Sequence, residues 1–111
     1  MKTKMVILML TLTSIKFITQ ANAATDQDIN KLTTYAVMLG RAIGCGIDTE
    51  NEATSIGEWM DERFPPGSND QQIYLPIFMD GVKMHMEQQQ NGQSPDSCDT
   101  VRTSFSNMSF D

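Results

Sequence analysis

One histidine, two cysteines and nine methionines stand among the 111 residues of this chain, and their spacing limits what each can do. His85 lies in Met84-His85-Met86, with Met79 a short distance upstream. Thioethers beside an imidazole make a soft donor set that suits Cu(I). On a helix, successive residues point about 100° apart, so Met84, His85 and Met86 diverge. Of the set, Met79 and Met86 are the pair that can share a side. Methionine is also an ordinary core filler. The sequence therefore predicts no cofactor and no resident metal, with Cu(I) carriage by Met79, Met84, His85 and Met86 as the alternative.

Carboxylates offer a second chemistry. Glu58, Asp61 and Glu62 gather beside Trp59, an arrangement with some likeness to the acid–base pair of a glycosidase. At i, i+4, however, Glu58 and Glu62 would lie about 5–6 Å apart on a helix surface. Nothing in the surrounding sequence supplies the apolar pocket that would raise one pKa. Asp48, Glu50 and Glu52 alternate like the opening of a calcium loop, but Ala53 stands where that loop needs glycine and Trp59 where it needs glutamate. No G-x-S-x-G elbow is present to activate a serine. The residues point away from an enzyme.

Cys45 and Cys98 carry the remaining chemistry. They lack the C-x-x-C spacing of a redox pair, and with one histidine they are too few for a zinc site. Their context is informative. Lys2 and Lys4 precede an apolar run from Val6 to Ile15, and Ala21-Asn22-Ala23 offers small residues at −3 and −1 of a cleavage site. Residues 1–23 thus read as a signal peptide cleaved after Ala23. Lys16 breaks the run well short of the roughly 20 apolar residues a membrane span requires, although a retained anchor is the alternative. Export to the periplasm or the medium would place both thiols in an oxidising compartment, where they should close as a disulfide. Closing a loop of that length is worth about 4 kcal/mol on the chain-entropy model.

Removing residues 1–23 leaves a single domain, 24–111, with five basic and 14 acidic residues and a net charge of −9. Such a surface repels nucleic acid and anionic lipid, which bind through Lys and Arg. It favours cationic partners. Protonating every carboxylate and His85 would swing the charge to about +6, a large perturbation of the native state.

The elements that must position these residues read as helices, with no convincing strand. Ile29, Leu32, Ala36, Leu39 and Ile43 recur at helical spacing, with Thr25 and Asp28 as a capping box and Cys45 at a glycine-flanked end. Thr49 and Glu52 form a second box, ahead of Ala53, Ile56, Met60 and Phe64, with Trp59 alongside. Pro65-Pro66-Gly67 stops that helix. A third element carries Ile73, Tyr74, Ile77, Phe78, Gly81 and Met84 as a broad apolar face, and Pro76 should kink or divide it. Ser94-Pro95 should open the last helix, burying Cys98, Val101, Phe105 and Met108, with the chain fraying beyond. The fold class is all-α: a small bundle of about four helices stapled by Cys45–Cys98.

In layout, with a first helix ending in Cys45 and a late helix carrying Cys98, the chain resembles several small exported bacterial proteins. They include acid-activated periplasmic chaperones, secretion pilotins and immunity proteins against secreted toxins. The stiff Phe64-Pro65-Pro66 loop, bracketed by Trp59 and Tyr74, is the candidate recognition surface, because rigid aromatic-lined loops lose little entropy on docking. The expected function is protein–protein binding, as an inhibitor, immunity protein or secretion accessory. An acid-responsive periplasmic chaperone is the alternative.

Overall fold

The structure is a computed structural model that describes residues 24–110. The predicted signal peptide, 1–23, lies outside the described residues. Four helices follow in order: α1 (Asp26–Gly44), α2 (Glu50–Arg63), α3 (Asn69–Gln90) and α4 (Cys98–Asn107). The predicted all-α bundle is present, and Cys45 and Cys98 are joined, with their Cα atoms 5.5 Å apart.

Local signals set most helix ends. Thr25 and Asp28 make the expected capping box, each side chain accepting from the other's backbone N–H. At the far end of α1, the Ile47 N–H bonds to the Ala42 carbonyl and the Gly46 N–H to that of Ile43. This paired closure needs a left-handed residue, supplied by Gly46 at φ 73°. The second capping box does not form. Thr49 makes no side-chain cap, and Asp48 Oδ1 accepts the Glu50 N–H at 3.1 Å instead. That carboxylate satisfies the first unpaired N–H of the helix, where the positive end of the dipole favours a negative charge.

Two further expectations change. Pro76 does not divide the third element: α3 is one helix of 22 residues with Pro76 inside it, as the long-helix half of the expectation has it. Proline cannot donate to the carbonyl four residues back. Both Pro76 and Gln72 are exposed. The last helix begins at Cys98, later than Ser94-Pro95 suggests, because Ser97 is the cap: its Oγ accepts the Thr100 N–H at 3.3 Å.

Most of the packing is between α1 and α3. Its cause is a ladder of small residues on α1, Ala36, Gly40 and Gly44, spaced four apart. A Cβ on Gly40 would fall 2.5 Å from the Val82 carbonyl oxygen, and one on Gly44 2.7 Å from that of Met86. Neither site has room for a side chain, so the two backbones approach closely. α2 and α4 close the remaining sides of the core through Ile56, Met60, Val101 and Phe105.

Through that core runs a continuous chain of rings: Phe105, Phe110, Tyr35, Trp59, Phe64 and Tyr74, with successive centroids 5.1–5.8 Å apart. Phe110 corrects the expectation that the chain frays beyond Met108. It is only 6% exposed and sits between Tyr35 and Phe105. Edge and tilted ring contacts of this kind add about 0.5–1.5 kcal/mol each beyond burial.

Candidate functional site: the groove between α1 and α3

The ends of the bundle are fixed by polar contacts. At one end Asp28, buried in α1, accepts from Arg63 Nε at 3.0 Å, tying α1 to the end of α2. At the other, Arg41 of α1 pairs with Asp96 at 2.9 Å beside the disulfide. Gln89 of α3 donates to the Asp96 carbonyl at 3.0 Å, drawing α3 into the same cluster. Between these ends lies the surface on which α1 and α3 meet solvent.

That surface holds a shallow groove of about 140 Å³, floored by Leu32, Ala36 and Gly81 and walled by Thr33, Ile77 and Met84. Ile77 is 56% exposed and Met84 49%. Ile73, one helical turn before Ile77, continues the stripe and is 55% exposed. Leu75 and Met79 are exposed on the other flank of α3. All the large exposed hydrophobic residues among those described thus lie on one helix. Asp80 and Glu87, both exposed, follow Ile77 and Met84 by three residues and put carboxylates along the same stripe.

The sequence groups Ile73, Ile77 and Met84 with Phe78 on one broad apolar face and reads the methionines as core, and the structure leaves Ile73, Ile77 and Met84 exposed. In α3 the interior takes Phe78, with Tyr74 and Val82 partly covered. A readable signal was the width of the apolar arc. Residues 73, 77 and 84 are centred about 120° from Phe78 on a helical projection, more than one buried face can hold.

The candidate recognition loop is altered as well. Phe64 is fully buried and Trp59 is 7% exposed, so both belong to the ring chain. Tyr74 is half-buried against Phe64. Pro65 and Pro66 are exposed, in a turn closed by the Ser68 N–H on the Pro65 carbonyl, with Gly67 at φ 80°. The loop is a buried anchor with a two-proline cap.

The soft donor set is split. Met84 and His85 line the groove, whereas Met79 and Met86 lie off it. His85 presents its β-carbon toward Gly40, and its Nδ1 is buried with no hydrogen-bond partner among the described residues. Burial, followed by the charge of Arg41, holds its pKa below the ordinary 6.5. The neutral imidazole is therefore the form this site accommodates. Glu58 and Glu62 flank an edge of Trp59 in an open hollow with Ser55. Both are exposed, which does not provide the dry surround that separates the roles of two carboxylates.

The groove can therefore bury apolar surface beside Asp80 and Glu87, and no group of three or more His, Cys, Asp or Glu residues among those described is placed to hold a metal ion. No helix among those residues is long and apolar enough to cross a membrane. No family model, curated protein or solved structure matches the chain.

Proposed function

We propose that this is an exported protein that acts by binding another protein through the α1–α3 groove. The observation that carries the reading is the stripe of exposed Ile73, Ile77 and Met84 along the groove side of α3. Exposed apolar side chains scattered singly need no explanation, but a group of them beside a groove marks an interaction surface. Asp80 and Glu87 along the stripe, and the net charge of −9 for residues 24–111, favour an amphipathic partner with basic groups. Arg41, Arg63 and Arg102 are already engaged by Asp96, Asp28 and Asp99, so the acidic excess is not offset by idle arginines. Inhibition or immunity, or an accessory role in secretion, are the activities such a module would serve in the periplasm or medium.

The test compares capture by the tagged, exported protein and by Ile77→Asp with Met84→Asp. Both positions are exposed, so thermal unfolding should move by less than about 1 kcal/mol. Wild type is expected to retain a saturable partner, and the double variant to lose at least about tenfold in affinity, as truncating contact residues does. Pro65→Ala with Pro66→Ala should bind like wild type. Equal capture by all three proteins, or capture lost only with the proline variant, would remove the groove as the site.

A further inference from the structure

The backbone nitrogen of Ala24 donates to Asp70 Oδ2 at 3.0 Å. Ala24 immediately follows the small-residue pattern Ala21-Asn22-Ala23. We propose that the mature chain begins at Ala24, and that cleavage converts this hydrogen bond into an ion pair between the new α-ammonium and Asp70. The inference rests on the export part of the proposed function and is independent of the partner-binding part.

The chemistry is a hydrolysis. A signal peptidase of the exporting cell adds water across the Ala23–Ala24 peptide bond, so that Ala23 departs with a carboxylate and Ala24 retains the amine, which takes up a proton. Before cleavage the nitrogen offers Asp70 one neutral N–H. Afterwards it offers up to three hydrogens and a full charge, and charge-assisted bonds are about twice as strong as neutral ones. Position is critical. Cleavage one residue earlier would leave Ala24 an amide and carry the ammonium about 3.8 Å along the chain, whereas cleavage one residue later would remove the donor.

The surroundings are prepared for a positive charge. Asp70 is half-buried in the first turn of α3, and Ala24 is half-buried against the core. The ammonium would sit before α1, whose N-terminus is itself positive and disfavours it. Asp26 and Asp28 in the first turn of α1 and Asp70 from α3 oppose that effect. Arg63 at the end of α2 has its Nε engaged by Asp28. Three helix ends would then be tied together, α1 to α2 through Asp28 and α1 to α3 through the terminus. The pair holds the amine charged, so its contribution is complete below the ordinary α-amino pKa of about 7.7–8.0 and is lost as pH rises through the raised value.

The experiment expresses the full chain in an export-competent bacterial host and determines the product's intact mass and N-terminal sequence. The α-amine is then titrated by its rate of reductive methylation across pH, in wild type, Asp70→Asn and the exposed control Glu87→Gln. The expected product starts at Ala24. Its amine should titrate about 0.5–1 pH unit above the ordinary range in wild type and in Glu87→Gln. In Asp70→Asn the amine should return to that range, with a fall in Tm of about 2–4 °C. A product starting at any other residue overturns the processing site. A product starting at Ala24 whose wild-type amine titrates in the ordinary range overturns the ion pair, and that measurement stands even if Asp70→Asn does not fold.

Discussion

At the scale of single residues, two titrating groups favour the same side of the pH range. Burial of Asp28 opposes its ionisation, but the Thr25 backbone and hydroxyl and the Arg63 guanidinium outweigh it and hold the carboxyl below the usual 3.8. His85 is held below 6.5 by burial and by Arg41. In both cases the folded state favours the deprotonated form. Each contribution is therefore present above the unfolded pKa and lost as pH falls through the folded value. Stability measured by urea unfolding should decline in two stages on acidification, first below about pH 6.5 and again below about pH 3.8. His85→Gln should flatten the first stage and leave the second. A variant that retains both stages would show that another group causes the first. An acid-responsive chaperone would require the same direction of change.

At the scale of elements, the α1–α3 contact depends on glycines placed where a side chain has no room. Gly40→Ala drives a methyl into the Val82 carbonyl oxygen and the His85 β-carbon. It should cost about 1–3 kcal/mol by overpacking, despite the better helix propensity of alanine. Gly57→Ala is the matched control. Gly57 is exposed within α2 and a Cβ there meets nothing, so the same change should stabilise by about 0.5–1 kcal/mol. Chemical denaturation of the two variants checks both signs. The i, i+4 spacing of Ala36, Gly40 and Gly44 was visible in the sequence, but small residues mark close approach only when a neighbour is known. The third helix was misjudged for a related reason. Apolar periodicity identified it as a helix, yet could not say which part of its wide apolar arc the bundle would cover.

At the scale of the whole molecule, the ring chain from Phe105 to Tyr74 connects all four helices with the C-terminal tail, and the disulfide joins the end of α1 to the start of α4. Truncation after Met108 removes Phe110 from between Tyr35 and Phe105, together with the Tyr35 hydroxyl's contact with the Ser109 carbonyl at 3.5 Å. It should destabilise by about 2–4 kcal/mol, within the range for losing a buried aromatic, and should lower Tm in a calorimetric scan. An unchanged Tm would show the tail to be dispensable.

The sequence by itself determined what depends on near neighbours. The helical class, the capping box at Thr25, the glycine closures and the stop at Pro65-Pro66 are set within a few residues, so they were legible in advance. The cysteine pair was legible too, because two thiols on separate apolar stripes had no other partner. Tertiary structure alone decided the rest. Trp59 and Phe64 became interior rings, Phe110 folded back onto Tyr35, and Ile73, Ile77 and Met84 were left facing solvent. Each outcome depends on how many helices pack against a given face, and the four helices among the described residues are too few to cover the whole apolar arc of α3.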